Sequence, residues 1–362
     1  MTLPLLTVDF ETRSYASIKD LGSRAYALHP TTEIVCAGFA WKEDDRYETL
    51  VVHPDRPGWD LAWPFGDVGE FEALAHNHYF DARVWERVGF KNPVRWIDTS
   101  ELARRAGMPS AKLEWLAKEL LGAEKDMQGN ALMKSLSKRK ARKRKRGEPL
   151  VYEHFALDPI PADVLARVEE YCVLDALLET RLYYEHFEPW DHVSDLEDAI
   201  LHADRLINNR GMLFDDVLAR AVLELDAQLA AQALADAGIS DPTDVRGNDR
   251  FIAHMASLGV QLENAQKATV EPLLEHEDER VAALAAARLS GNTIAGGKLK
   301  SGLLKQSADG TIKDMLRYIG AHTWRWSGNN PQPQNLPKPS QSLENSAVEE
   351  LVERALAAVG AR

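Results

Sequence analysis

Short apolar runs with strand-like composition open the chain. Their sequences are LLTVDFET, EIVCAGFAW and YETLVVH, all within residues 5–53. Runs of this kind, close together and rich in Val, Ile, Phe and Thr, predict a β-meander. Helical periodicity follows in FEALAHN, YFDARVWERVG and KLEWLAKELLG, and VRWIDT is one more predicted strand before the last of these. Strands followed by helices predict a mixed α/β layer.

A long amphipathic pattern over residues 160–187 predicts a helix. Pro161 lies at its start and Asp163 in its first turn, and both residue types suit a helix N-terminus. From about residue 191 the chain is rich in Ala and Leu, which predicts a second, mainly helical region. After about residue 310, a stretch rich in Asn, Gln, Pro and Ser predicts an extended or loop segment, followed by a last amphipathic helix.

Composition limits the class of protein. The chain has 362 residues, of which 45% are apolar, enough for two or three domains with buried cores. Its two cysteines, Cys36 and Cys172, exclude a disulfide framework and favour a reducing compartment. The first residues lack a secretory signal, and no apolar run reaches membrane-spanning length. We therefore expect a cytoplasmic protein without a membrane partner.

Basic residues are concentrated in one segment of an acidic chain. The formal net charge is -13, yet residues 138–146 read KRKARKRKR. Such a block is typical of a solvated mobile loop, because its charges repel one another. An alternative interpretation is a flexible arm that collects DNA phosphates without choosing a sequence. Both interpretations stay open at this point.

Asp9 and Glu11 form a pair of carboxylates on the first predicted strand. One residue separates them, so both side chains project from the same face and Phe10 points to the other. Two acids side by side on an apolar strand repel each other, and burial disfavours their ionisation. A cation between them would offset both costs, so the pattern indicates a metal site.

Two further acidic positions have a polar partner four residues earlier. Asn77 precedes Asp81 by four residues. This spacing at the start of a helix predicts that both side chains lie on one face. Tyr171 precedes Asp175 in the same way within the long predicted helix. A phenol and a carboxylate are therefore expected to share one surface.

Phosphodiester hydrolysis suits this set of side chains. The reaction needs an activated water and a charge clamp on the leaving oxygen, and two divalent ions roughly 4 Å apart supply both. Four carboxylates, Asp9, Glu11, Asp81 and Asp175, can hold such a pair. Oxygen ligands without a His or Cys cluster favour two Mg²⁺ or Mn²⁺ ions over zinc. Tyr171 would orient the attacking water.

The motifs VDFET, HNxxFD and YxxxD, in this order, resemble the three exonuclease motifs of the DEDDy family. The resemblance implies a ribonuclease H-like fold and 3′→5′ exonuclease activity on a frayed single-stranded DNA end, with release of a 5′-mononucleotide. It also implies that Asp9, Glu11 and Asp175 bind one metal, that Asp9 bridges to the second, and that Asp81 supports the second metal through water.

Substrate contacts follow from the same resemblance. It implies that Asn77 contacts the terminal nucleotide and that Thr12 and Phe80 belong to the substrate-binding residues.

The second half of the chain resembles the thumb and early palm of phage-type family A DNA polymerases. The segments LHADRLINNRGMLFDD and IGAHTWRWSGNNPQPQNLP carry this resemblance. It implies primer-template binding, with these DNA-binding residues: Lys298, Lys300, Arg325, Gln334 and Asn335. Trp324 departs from the family, which usually has Gly there. A bulky ring could change how closely the backbone approaches DNA.

The resemblance predicts three parts. Residues 1–190 would form the DEDDy exonuclease domain, 191–305 a helical thumb-like domain, and 306–362 the start of a polymerase palm. The chain stops at Arg362, before the palm Asp-Tyr-Ser segment, the fingers helix and the second palm carboxylate, so on its own it is not expected to polymerise. A shortened expression product, a naturally split polymerase and a truncated gene product all stay open.

Two alternative functions follow from the same residues. One is a non-catalytic, DNA-binding half of a split polymerase, which would need a separate palm and fingers chain as its partner. The last amphipathic helix would then pack on that partner, although it could equally pack on its own chain. The other is an RNA exonuclease like RNase D, because the same motifs occur in such enzymes. The resemblance to thumb and palm favours DNA.

Overall fold

The structure, a computed structural model, describes residues 3–53, 70–141, 152–290, 294–320, 323–329, 331–335 and parts of 350–360. It divides into two compact units. Unit 1 comprises residues 1–210 and 316–327, and unit 2 comprises residues 211–315 and 328–362. Most of the basic run 138–146 and of the predicted terminal helix lie outside the described residues. The predicted domain boundaries after residues 190 and 305 stay predictions.

Unit 1 is built on a five-stranded mixed sheet. Its strands are β1 (Leu5–Arg13), β2 (Glu33–Glu43), β3 (Arg46–Val52), β4 (Glu72–Ala75) and β5 (Arg95–Asp98). They lie in the order β3-β2-β1-β4-β5. The pairs β1/β2 and β2/β3 are antiparallel, whereas β4 is parallel to β1 and to β5. The predicted meander and the predicted strand in VRWIDT are therefore confirmed.

β1 lies at the centre of this sheet. Leu6, Val8 and Phe10 are almost fully buried, as expected for a strand with a neighbour on each side. The pairing with β2 shifts register between Glu11 and Thr12. A bulge at this point changes the direction of the side chains that follow it.

The helix predicted in FEALAHN is wrong. Residues 72–75 of that segment form β4. Phe71, Ala73 and Leu74 are fully buried, because a parallel strand inside a sheet is covered on both faces. Such a strand has a continuous apolar run instead of alternation, and a short run of this kind cannot be distinguished from a buried helix by periodicity.

Helices flank the sheet. Those of unit 1 are α1 (Ile18–Leu21), α2 (Ser23–Ala27), α3 (Tyr79–Val88), α4 (Thr99–Arg105), α5 (Leu113–Leu121), α6 (Met127–Leu136), α7 (Ala162–Leu182) and α8 (Asp195–Arg210). A short hairpin pairs β6 (Arg139–Ala141) with β7 (Tyr152–Phe155). α7 confirms the predicted long helix: Pro161 precedes it and Asp163 lies in its first turn. It continues through a π-turn over Tyr183–Phe187.

Aromatic rings fill one core of unit 1. Trp85 of α3 is fully buried, and the rings around it are Phe10, Phe39, Phe71, Phe90 and Trp96. Edge-to-face contacts of this type stabilise a core beyond the area that they bury. Phe10 belongs to this cluster. The side chains of Asp9 and Glu11 therefore project from the opposite face of β1.

The segment 316–327 packs within unit 1. Trp326 donates its indole N–H to Asp204 Oδ1 at 2.6 Å, and Tyr79 donates its hydroxyl to Asp204 Oδ2 at 2.9 Å. Trp324, where the polymerase family usually has Gly, has a φ of 58°. This left-handed conformation favours glycine, the residue that the resemblance implies at that position.

Unit 2 is mainly helical. Its helices are α9 (Asp216–Asp236), α10 (Thr243–Arg246), α11 (Asn248–Ser257), α12 (Lys267–Val270), α13 (Glu279–Leu289) and α14 (Ile294–Lys305). Phe251, Met255, Val270 and Val281 are fully buried in its core. β8 (Met212–Leu213) pairs with β9 (Thr311–Ile312). The predicted fold class, an α/β ribonuclease H-like domain followed by a mainly helical region, is confirmed.

Both cysteines, Cys36 and Cys172, are buried and unpaired, as expected for small packed residues. Within the part of the chain that the structure describes, none of the helices has the length and apolar content needed to span a bilayer.

Candidate metal centre

Two carboxyl side chains share one face of β1. Asp9 and Glu11 are half-buried, whereas Phe10 between them is buried against the aromatic core. Asp175 of α7 meets them: one oxygen atom from each of the three residues lies within 4.8 Å of the others. Three of the four predicted carboxyls are therefore brought together from distant parts of the chain.

Burial and like charge both act on this cluster. Burial, followed by the charge of Asp175, raises the pKa of Asp9 to about 7, although Lys125 and a hydrogen bond from Cys172 lower it. Burial, followed by the charge of Asp9, raises the pKa of Glu11 well above its usual range. Burial also raises the pKa of Asp175, against the lowering effect of Lys125. The cluster thus lacks the positive charge that full ionisation requires.

This shift predicts how pH changes stability in the absence of metal. The unfolded chain binds a proton at Asp9 only below about pH 4, whereas the folded chain binds it up to about pH 7. The folded state holds more protons in that window, so the contribution of Asp9 to the free energy of unfolding falls as pH rises.

The buried histidines His76 and His78 have a lowered pKa, so their contribution to the free energy of unfolding rises with pH. Both histidines are present in the wild type and in Asp9→Asn, so the difference between the two proteins reports the effect of Asp9. In urea titrations with EDTA, the variant should gain stability over the wild type progressively from about pH 4 to about pH 7. A difference that does not change with pH would contradict the shift.

Unsatisfied oxygen atoms show that the cluster fits a cation. Asp9 Oδ2 and Asp175 Oδ1 are buried and have no hydrogen-bond partner among the described residues. A buried carboxylate oxygen without a donor is costly, and a metal ion would remove that cost. The set contains only oxygen donors, which fits Mg²⁺ or Mn²⁺ better than a softer metal.

Lys125 is a member of the site that the sequence did not reveal. Its Nζ lies 2.6 Å from Asp175 Oδ2, and its side chain is only 17% exposed. It also lies 5.3 Å from the centre of the Tyr171 ring. Asp126, the next residue, caps α6 through the N–H groups of Gln128 and Gly129. This cap holds the loop that carries the ammonium group.

α6 packs tightly against the predicted water-orienting residue. Tyr171 is buried, and burial, followed by the charge of Asp175, raises the pKa of its hydroxyl. A Cβ atom on Gly129 would lie 2.7 Å from Tyr171 Cβ, Tyr171 Cδ2 and Asp126 Oδ2. Only glycine lets the helix approach the phenol this closely.

Gly129→Ala is therefore expected to destabilise the protein by about 1–2 kcal/mol and to displace Tyr171. The matched control is Gly297→Ala in α14, where the new Cβ would meet no atom within 4 Å. That variant should be more stable by up to about 1 kcal/mol, because alanine favours a helix. Urea unfolding of both variants measures the contrast, and equal effects would contradict the close approach.

Asp81 and Glu179 lie beside the three-carboxyl group. Asp81 is buried at the start of α3 and accepts the backbone N–H of Phe10 at 3.1 Å. Burial, followed by the charge of Asp9, raises the pKa of Asp81 and that of Glu179 well above their usual ranges. Glu179 was not predicted. Its position four residues after Asp175 on one helix is the signal that could have indicated it.

The predicted helical placement of Asn77 is wrong. α3 begins at Tyr79, and Asn77 precedes it with a φ of 68°. Asp98 stabilises this turn, because its carboxylate accepts the backbone N–H groups of Asn77 and His78 at 3.0 and 3.2 Å. Asn tolerates the left-handed region better than most residues, so a turn outcompetes the helix here. The side-chain Oδ1 of Asn77 accepts a hydrogen bond from Arg317.

The other predicted substrate residues lie near the end of β1. The hydroxyl of Thr12 is 3.1 Å from that of Tyr26. Phe80 is half-buried, with its ring 6.0 Å from the Tyr26 ring.

The predicted DNA-binding residues are distributed over both units. Arg325 is exposed in unit 1, and Lys300, Gln334 and Asn335 are exposed in unit 2. Lys298 is held within unit 2, because its Nζ donates to the carbonyl oxygens of Pro331 and Gln332 at 2.7 and 2.9 Å. Roles in DNA binding stay predictions for all five.

The chain is similar over most of its length to phage-type family A DNA polymerases, which confirms the predicted resemblance. The relative that shows this is the DNA polymerase of Bacillus phage SP02. The two sequences are 25% identical over 359 residues, which covers 92% of this chain and 51% of the relative. The chain thus spans about half the length of the curated relative that it matches. No family model matches the chain.

A solved polymerase structure has a similar fold. The POL domain of Pol1 from M. smegmatis, in complex with DNA primer-template and dNTP, matches with a TM-score of 0.53 and 14% identity. The match covers 94% of this chain and 53% of that chain, and at this identity it shows the fold alone. A mutant of the catalytic core of RRP6 from Trypanosoma brucei matches with a TM-score of 0.27 and 13% identity, covering 80% of this chain and 76% of that chain.

Proposed function

We propose that unit 1 is a metal-dependent 3′→5′ exonuclease that removes 5′-mononucleotides from single-stranded 3′ ends of DNA. The observation that carries this proposal is the group formed by Asp9, Glu11 and Asp175, whose oxygen atoms lie within 4.8 Å of one another. Two of these carboxyls have buried oxygen atoms without a hydrogen-bond partner among the described residues. The arrangement suits divalent cations and a phosphodiester substrate.

The residues divide the work as follows. Asp9, Glu11 and Asp175 would hold one divalent cation, and Asp9 and Asp81 would help to hold a second. Bound cations would lower the pKa of a water molecule and stabilise the departing 3′ oxygen.

The remaining side chains position the water and the substrate. The Tyr171 hydroxyl would orient the attacking water, since this side chain is held by α6 beside Asp175. Asn77, Thr12 and Phe80 would receive the terminal nucleotide. Asp98 accepts the backbone N–H groups of Asn77 and His78. The turn that carries the Asn77 side chain is therefore formed before the substrate binds.

DNA is the proposed substrate and partner because the curated relative is named a DNA polymerase. In proofreading, the proposed exonuclease activity would remove mismatched, frayed primer ends. Arg325, Gln334 and Asn335 would then contact the primer-template, as the resemblance implies.

A nuclease assay with matched strands tests the proposal. Single-stranded DNA and RNA of one sequence, each labelled at the 5′ end, are incubated with the protein in Mg²⁺ or in EDTA. We expect DNA to shorten stepwise from its 3′ end in Mg²⁺, and to remain intact in EDTA. Faster shortening of RNA would favour the RNase D-like alternative, and intact strands under all conditions would favour the non-catalytic, DNA-binding alternative.

A further inference from the structure

Glu179 is a buried acid with no assigned role. It lies on α7, one helical turn beyond Asp175, and is only 2% exposed. Its Oε2 atom is buried and has no hydrogen-bond partner among the described residues. Glutamate is almost never buried to this degree without a partner, so the side chain is not explained by packing alone.

The surroundings of Glu179 are acidic. Two hydrogen bonds join α7 to β1. Thr180 donates its hydroxyl to Thr7 Oγ1 at 2.6 Å, and Cys172 donates its thiol to the carbonyl oxygen of Asp9 at 3.2 Å. The charged groups that act on Glu179 are the carboxyls of Asp9, Asp81 and Asp175, and the ammonium of Lys125.

One ammonium group cannot compensate these carboxyls. Lys125 is already paired with Asp175 at 2.6 Å. Glu179 and Asp81 both lie outside the group whose oxygen atoms are within 4.8 Å, and the charge of Asp9 helps to raise the pKa of both. Like-charge repulsion with Asp9 therefore acts on Asp81 and Glu179 as well as on Glu11 and Asp175. A second cation next to Asp9 would satisfy the unpartnered oxygen of Glu179.

We propose that Glu179 is a fifth acidic residue of the metal centre, which with Asp9 and Asp81 holds the second divalent cation, directly or through a bound water. The proposal rests on the proposed nuclease function, since it concerns the same site. Mg²⁺ usually keeps several waters and few protein ligands, so carboxylates that contact its waters are part of such sites.

Equilibrium binding of Mn²⁺ to the substrate-free protein tests this role without relying on activity. Free Mn²⁺ is measured by electron paramagnetic resonance for the wild type and for Glu179→Gln, which keeps the shape of the side chain and removes its charge. The matched control is Glu170→Gln, which changes an exposed glutamate of the same helix. Asp9→Asn is the reference for loss of the whole site.

The wild type and Glu170→Gln are expected to bind two Mn²⁺ ions. In Glu179→Gln the weaker ion should bind at least roughly tenfold less tightly, as is typical for loss of a residue that supports a metal site. Glu179→Met, of similar length, serves as a second variant if Glu179→Gln does not fold.

Identical binding curves for Glu179→Gln and the wild type, with weakened binding in Asp9→Asn, would overturn the inference alone. Unchanged binding in Asp9→Asn, or no binding to the wild type, would overturn the proposed function as well.

Discussion

Asp9→Asn is expected to lower the rate of 3′-end hydrolysis by roughly a thousandfold, because about 4 kcal/mol of transition-state stabilisation is lost with the residue that would contact both cations. The fold should remain intact. Asp9 Oδ2 is buried without a hydrogen-bond partner among the described residues, and removal of its charge relieves repulsion within the cluster. The measurement is the initial rate on single-stranded DNA at saturating Mg²⁺.

The control for Asp9→Asn is an exposed acid of unit 1. Glu86→Asn removes a carboxylate that lies on α3 and is half exposed, where it pairs with Arg83. This variant should retain the wild-type rate, since Glu86 is not one of the carboxyls grouped at β1 and α7. A fully active Asp9→Asn variant would contradict the assignment of Asp9, Glu11 and Asp175 as a metal centre.

Lys125→Met is expected to destabilise the metal-free protein by on the order of 3 kcal/mol. The substitution keeps the length of the side chain but removes the ammonium group, which leaves Asp175 as an unpaired buried acid. Loss of one partner from a buried ion pair is costly because the other charge is left without compensation. Urea unfolding in EDTA measures the effect.

The control for Lys125→Met is Lys267→Met. Lys267, the first residue of α12, pairs with Glu271 at 3.5 Å, and its side chain is 76% exposed. Its loss should change stability by less than about 0.5 kcal/mol. Lys125→Arg, which retains the charge, should recover part of the lost stability. Similar midpoints for Lys125→Met and Lys267→Met would show that the ammonium group does not stabilise the cluster.

The strands and the acidic pair on β1 could be predicted because their signals are local. Asp9, Phe10 and Glu11 alternate with period two, and each face of the strand has its own environment in the fold. Asp175 could be placed because the amphipathic pattern of its helix is long and begins with Pro161. These features depend on residues within one segment of the chain.

Other elements depended on their neighbours. The apolar run at β4 forms a strand because two parallel strands flank it, and nothing in the run itself distinguishes that outcome from a short helix. Asn77 lies in a turn because Asp98, twenty-one residues later, accepts its N–H group. Tertiary hydrogen bonds of this kind leave no periodic signal.

The site residues that were missed show the same limit. Lys125 lies in a loop, where side chains follow no period, and its position near Asp175 depends on how α6 packs on α7. Glu179 shares a helix face with Asp175, but a Glu at this spacing is usually solvent-exposed. Its burial could be known only once α7 was placed on β1.

The proposed nuclease requires that acidic side chains from β1 and α7 share divalent cations. Anomalous diffraction from crystals soaked in Mn²⁺ tests it most directly. We expect an anomalous peak in contact with carboxylate oxygens of Asp9, Glu11 and Asp175, and no such peak in crystals of Asp9→Asn soaked in the same way. A wild-type map without a peak at these three carboxylates, at a Mn²⁺ concentration that supports binding elsewhere on the protein, would contradict the proposed metal centre.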